Sequence, residues 1–225
     1  MAELRGEDAR HLTRVLRAEA GQRYEISDNQ SAWLAELVEA RGDRAVFRVV
    51  EPVESAEPAL RVTLYAALVK FDRFEWAIEK ATELGVERIV PVEAARTEKG
   101  LFEAARKRAE RWQRIARETS QQARRVRTPE IVPAVRFAAA LEAAAGWRYF
   151  ADEAGALPLA AALPAGREAR ATAALLVGPE GGWTAPEREA ALAAGWQAVS
   201  LGPYILRAET AAAAGVAILV NSWTG

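Results

Sequence analysis

The sequence predicts a mostly parallel α/β domain behind a small β-rich N-terminal one. Three observations carry this. Short alternating apolar runs fill the first fifty or so residues. A polar stretch with prolines near both ends follows, Glu51-Pro-Val-Glu-Ser-Ala-Glu-Pro58, and reads as a linker. From Val62 onward, apolar strand-like runs alternate with helical periodicity, the order that builds parallel sheets with helices on their faces.

In the N-terminal part, the spacing predicts a short helix from Glu7 to about Arg17, with Leu12, Val15 and Leu16 on its buried side. Tyr24–Asp28, Trp33–Val38 and Ala45–Val50 alternate as strands, the last two separated by a turn at Arg41-Gly42-Asp43. Several short strands with turns predict a small barrel. The domains are therefore expected at residues 1–56 and 60–225.

In the second part, Val62–Val69 is nearly all apolar, as a strand buried on both faces must be. A helix is expected from Asp72, with Asp72 and Glu75 as a capping box, Phe74, Ala77, Ile78, Ala81 and Leu84 on one face, and Gly85 as its stop. Arg88–Val92 is the next strand. A long helix follows from about Glu103 to Arg125, with Trp112, Ile115, Thr119 and Val126 on one side. Arg148–Asp152 and Ala173–Val177 read as strands. Thr184–Ala194 reads as a helix with a Thr184/Glu187 capping box and Gly195 as its end. Gln197–Leu201 is a last strand, and Glu209 to Trp223 a last helix rich in small residues.

Composition narrows the chemistry. The 225 residues are 51 % hydrophobic and 27 % charged, enough to bury a core. There is no cysteine, which excludes disulfides, a thiol nucleophile and thiolate zinc sites. The single histidine, His11, leaves no His-rich metal site, and no metal is expected. No 18-residue apolar run exists, so no membrane span is expected, and the charged start MAELRGEDAR does not read as a secretory signal. The expected compartment is the cytoplasm. A net charge of −1 hides an asymmetry: between Arg96 and Arg127 there are 11 basic and 4 acidic residues. A segregated basic stretch fits a phosphate-binding face, and equally a solvated helix face.

Two loops follow predicted strands. Gly178-Pro-Glu-Gly181-Gly182 precedes the helix starting at Thr184, so its glycines permit close backbone approach beside free helical N–H groups. A plain tight turn explains it as well. The second loop, Leu201-Gly-Pro-Tyr-Ile-Leu-Arg-Ala-Glu-Thr210, sets the apolar pair Ile205-Leu206 beside Arg207 and Glu209. That fits a half-apolar pocket, or a simple core plug.

Together the two loops resemble the C-terminal signature of the RsmE family, 16S ribosomal RNA uracil-N3 methyltransferases of the SPOUT superfamily. Trp76–Val86, Glu118–Glu130 and His11–Arg17 are similar to further family segments, so the likeness covers nearly the whole chain. Two departures stand out. Tyr204 occupies a position where the family usually has a basic residue, and the N-terminus reads as lacking the family's first strand.

The resemblance implies a C-terminal parallel sheet with a SPOUT-type trefoil knot and a PUA-like N-terminal barrel that binds RNA. It implies S-adenosylmethionine (SAM) as cofactor, lying against Val177, Gly178, Pro179, Glu180, Gly181, Gly182, Leu201, Gly202, Ile205, Leu206, Arg207 and Ala208. It also implies a homodimer, for which the small-residue stretch Ala211–Gly215 is a candidate contact, as it is for close packing inside one chain. The implied substrate is a uridine of the decoding region in 16S rRNA of the small ribosomal subunit.

Uracil N3 carries a proton at neutral pH, so the reaction wants a base or a group that stabilises the anion. Arg207 is the candidate for the second role, and Glu209 for the base or for orienting Arg207. Helix-dipole complementarity explains Glu209 equally well, and Thr210 reads as a cap. Arg14, Arg17, Arg124, Arg125 and Arg127 are the candidate RNA contacts. Three other readings stay open: an RNA-binding module without catalysis, a SPOUT enzyme acting on ribose or a tRNA base, and a dinucleotide oxidoreductase. The last is the weakest, because Leu68–Asp72 contains no glycine.

Overall fold

The computed structural model describes residues 1–54, 57–153 and 156–223. Its contacts cluster into two units, residues 1–56 and 57–225.

The first unit holds β1 (Ala2–Arg5), α1 (Glu7–Arg10), β2 (Arg23–Ser27), β3 (Ala32–Arg41) and β4 (Arg44–Val53). The strands form one antiparallel sheet in the order β1-β4-β3-β2. Ala35 and Leu37 of β3 and Ala45 and Phe47 of β4 form the buried face, and Ala9 and Leu12 cover it. Tyr24 meets Phe47 edge-on, their ring centroids 6.1 Å apart.

Three expectations are corrected here. The first helix ends at Arg10 and loosens into a π-turn, His11–Val15, before Arg17 turns with φ +49°. Only Leu12 of the expected apolar side is buried; Val15 and Leu16 are 65 % and 57 % exposed. The N-terminus does form a strand, pairing with β4 from Ala2↔Phe47 to Arg5↔Arg44. The expected linker starts too early, because β4 runs on through Val53; its residues Ser55 and Ala56 lie outside the described residues.

The second unit runs β5 (Leu60–Ala67), α2 (Phe71–Glu83), β6 (Arg88–Glu93), α3 (Leu101–Ala105), α4 (Ala109–Gln122), β7 (Glu130–Ile131), β8 (Val135–Arg136), α5 (Phe137–Ala140), β9 (Trp147–Ala151), β10 (Leu157–Pro158), α6 (Leu159–Ala162), β11 (Ala171–Val177), α7 (Ala185–Ala193), β12 (Gln197–Ser200) and α8 (Ala208–Trp223). The sheet is parallel in the order β10-β12-β9-β11-β5-β6-β7, with β8 also beside β6. Alternate residues of a strand point to opposite faces. Thus Ala173, Leu175 and Val177 of β11 join a core with α2, α4 and α8, while Ala174 and Leu176 join another with Trp183 and Trp196. Burying one such aliphatic side chain contributes about 1.5–3 kcal/mol. From Ala173 to Val177 the strand is apolar because both faces are covered.

The helices differ from expectation in two places. α2 has Lys70 as its N-cap and no side-chain cap; the Asp72/Glu75 box does not form. Glu75 instead accepts two hydrogen bonds from Arg111, at 2.7 and 2.8 Å. The long helix is broken: α3 and α4 are separated by a 3-10 turn at Arg106–Arg108, and α4 stops at Gln122. Trp112 and Thr119 are buried as the spacing requires, but Val126 lies beyond the helix. The Ala211–Gly215 stretch is used within the chain. A β-carbon on Gly215 would stand 2.4 Å from Cδ2 of Leu175, so α8 lies directly on β11. Among the described residues, no helix is long and apolar enough to cross a membrane.

Candidate active site

β12, β9 and β11 are neighbours, and the loops leaving their carboxyl ends converge on one cleft of about 140 Å³. This is where ligands bind in open parallel sheets. Val177, Gly178, Pro179 and Gly182 line it from the loop after β11. Leu201, Gly202, Ile205 and Leu206, with Ala208 at the start of α8, line it from the loop after β12. Three of the residues proposed from sequence to hold the cofactor do not line it: Glu180, Gly181 and Arg207. Glu180 turns to Arg73 of α2, and the Gly181 carbonyl accepts from the Arg96 guanidinium. These two contacts hold the glycine loop from outside.

Local sequence explains the geometry. Gly182 adopts φ +68°, a left-handed conformation that glycine takes without cost. Trp183 then folds back over Gly178, stacks on Phe150 with ring centroids 4.9 Å apart, and donates its indole N–H to the Ala151 carbonyl at 2.9 Å. The capping box of α7 forms. The Glu187 carboxylate accepts from the Thr184 N–H and hydroxyl at 2.9 and 2.8 Å, and from the Ala95 N–H at 2.7 Å. One buried carboxylate thus ties α7 to the segment after β6.

Sequence reasoning missed Ala151, Asp152, Glu153, Trp183, Ser200 and Ala211 as lining residues; Pro203 and Tyr204, within the second loop, line it too. Trp183 had a signal, an aromatic directly after the glycine loop. The β9 loop had none, because only the spatial strand order places β9 between β11 and β12. Asp152 is held by Arg188 through two hydrogen bonds, at 2.8 and 3.1 Å. Of the apolar pair in the loop after β12, Ile205 does not plug the core: it is 83 % exposed, as Tyr204 is at 82 %, while Leu206, like Leu201, packs against buried residues.

Arg207 is exposed just before α8. Glu209 lies in the first turn of α8 and is 9 % exposed, and its Oε2 is buried without a hydrogen-bond partner among the described residues. No ion pair joins the two among the described residues. Thr210 is inside the helix and exposed, so it is not a cap.

Of the basic candidates, Arg14, Arg17, Arg124 and Arg127 are exposed, and Arg127 pairs with Glu57 at 2.7 Å. Arg125 has a different task. It donates to the Thr82 and Val86 carbonyls, both at 2.7 Å, and so closes the carboxyl end of α2; burial lowers its pKa.

A model described as an RNA methyltransferase domain matches residues 56–220, and one described as an RNA methyltransferase PUA domain matches residues 4–50. Those matches, with the cleft at the sheet's carboxyl end, set the class: an RNA methyltransferase with a PUA-like N-terminal domain. The ribosomal RNA small subunit methyltransferase E of Synechocystis sp. is 36 % identical over 89 % of this chain, which spans 66 % of that relative's length. The Bacillus subtilis protein of the same name is 30 % identical over 92 % of this chain and 84 % of its own. The crystal structure of the Neisseria gonorrhoeae protein of that name, bound to S-adenosyl methionine, superposes with a TM-score of 0.84 at 29 % identity, over 99 % of this chain and 92 % of that one. The chain belongs to the ribosomal RNA small subunit methyltransferase E family.

Proposed function

We propose that the protein transfers the methyl group of SAM to N3 of a uridine in the decoding region of 16S rRNA. In this reading residues 60–225 form the catalytic domain with a trefoil knot, residues 1–56 contact RNA, and the protein works as a homodimer. The observation that carries it is the convergence of both sequence loops on one cleft at the ends of β9, β11 and β12. Family membership and the SAM-bound Neisseria relative support the cofactor.

The lining fits such a ligand. Val177, Pro179, Leu201, Leu206, Ala208 and Ala211 offer apolar surface to an adenine, and the glycines leave backbone groups approachable for ribose and base. SAM supplies an electrophilic methyl group on a positively charged sulfur. The chain's part is to hold that methyl in line with N3, and much of the acceleration comes from such positioning. N3 must lose its proton. Exposed Arg207 stabilises the negative charge that results on the base, and the Glu209 carboxylate takes the proton. A uridine in a single-stranded or loop region leaves its stack at least cost.

The test is incubation with SAM and small ribosomal subunits lacking the modification, followed by digestion and nucleoside mass spectrometry. The expected product is 3-methyluridine. A 2′-O-methyl nucleoside would move the chemistry to ribose. SAM binding without any methylated product from a panel of RNAs would leave a silent RNA-binding module.

A further inference from the structure

Among the residues lining the cleft, two carry charge, Asp152 and Glu153, and both are acids. Asp152 is neutralised by Arg188 across two hydrogen bonds. Glu153 forms no ion pair among the described residues. Its carboxylate lies over the glycine loop: a β-carbon on Gly182 would be 3.3 Å from Glu153 Oε1. The nearby cations are committed elsewhere. Arg188 belongs to Asp152, and Arg96, whose Nη1 would be 4.0 Å from the same β-carbon, donates to the Gly181 carbonyl. The cleft therefore holds one carboxylate without an ion-pair partner among the described residues, its charge felt by Arg188 but not paired with it, at the rim of the loop assigned to the cofactor.

We propose that Glu153 recognises a positive charge on the bound methyl donor. The inference rests on the reading of this cleft as the SAM site. SAM offers two cationic groups, the sulfonium and the α-ammonium, and a carboxylate at the rim suits either. If it faces the sulfonium, the attraction vanishes once the methyl group has left, because the remaining thioether is neutral; the site then favours donor over spent product. If it faces the ammonium, it anchors the methionine end of donor and product alike. Because Glu153 is exposed, the attraction is screened by salt and modest in size.

Isothermal titration of the full chain tests this with three ligands: SAM, S-adenosylhomocysteine and 5′-methylthioadenosine, which lacks the amino-acid moiety and its charges. Glu153→Gln is expected to weaken SAM binding about three- to tenfold at low salt, and less at high salt. Glu153→Asp should restore part of the loss, and 5′-methylthioadenosine should bind both proteins equally. An unchanged S-adenosylhomocysteine affinity assigns the contact to the sulfonium, and a parallel loss assigns it to the ammonium; both uphold the proposal. Equal SAM affinity in wild type and Glu153→Gln overturns it, as does an equal loss for the uncharged ligand. A wild-type chain that does not bind SAM overturns the cofactor reading of the cleft, and this proposal with it.

Discussion

A β-carbon at Gly178 would stand 2.8 Å from Cε2 of Trp183, a distance no real pair tolerates. The indole has nowhere to retreat, because it is stacked on Phe150 and hydrogen-bonded to Ala151. Gly178→Ala should therefore displace Trp183 from the cleft. The expected outcome is a stability loss of about 1–3 kcal/mol by urea titration, together with at least a tenfold loss in SAM affinity by calorimetry. Stability lost with affinity intact would show that Trp183 does not shape the ligand site. Tyr149 makes the opposite case. It is buried on β9 with its hydroxyl unpartnered among the described residues, and burial pushes the phenol up to about 12. The folded state resists ionisation more than the unfolded chain does. The contribution is thus fully present below the ordinary pKa of 10.0 and is lost as pH rises through about 12. Tyr149→Phe should leave neutral-pH stability unchanged or raise it by up to about 1 kcal/mol, and should flatten the fall in melting temperature above pH 10. A steeper alkaline fall in the variant would contradict this.

Helix ends show what the sequence made legible. Where a glycine stops a helix, at Gly85 (φ +98°) and Gly195 (φ +80°), the stop is readable in advance. Both ends carry paired bonds of one kind: Val86 N–H to Ala81 and Gly85 N–H to Thr82, and Trp196 N–H to Ala191 and Gly195 N–H to Leu192. α4 ends in the same pattern, Arg125 N–H to Ser120 and Arg124 N–H to Gln121, but with Arg124 at φ +53°. A long side chain there gives no sequence signal, so periodicity alone runs the helix on to Arg125. The buried face of α2 and the doubly buried β5 were legible because burial dictates the residue pattern, a helical repeat in one and a nearly unbroken apolar run in the other. The β9 side of the cleft was not, because strand order is a long-range property. Arg124 holds an unfavourable conformation that glycine would relieve, so Arg124→Gly should stabilise the protein by up to about 1 kcal/mol. Thermal or urea denaturation checks this, and a destabilised variant would mean the arginine side chain makes a favourable contact that outweighs its strain.

At the scale of the whole molecule, the charge asymmetry is the property most open to test. The +7 of residues 96–127 is partly cancelled in the fold: Arg108 and Arg111 lie on Glu75, Arg114 on Glu118 and Arg127 on Glu57. Arg125 is spent on α2. Lys99, Arg106, Lys107, Arg117 and Arg124 form no ion pair among the described residues, and their positive field faces solvent. The cationic turn Arg106–Arg108 adjoins the start of α2 through Arg108, stacked 4.8 Å from the Phe71 ring centroid and paired with Glu75. Arg73 in that same first turn of α2 holds Glu180 of the glycine loop. This chain of contacts runs from the glycine loop to the cationic turn, which favours the unpaired cations there over Arg125 as phosphate contacts. Each phosphate contact removed should flatten the dependence of log affinity on log salt by about 0.7 for single-stranded RNA. Changing Arg106, Lys107 and Arg117 together to Gln should therefore lower the slope by about two, with SAM affinity unchanged. Filter binding of small-subunit RNA across a salt series measures it. An unaltered slope would return this stretch to the role of a solvated helix face and leave RNA recognition to other surfaces.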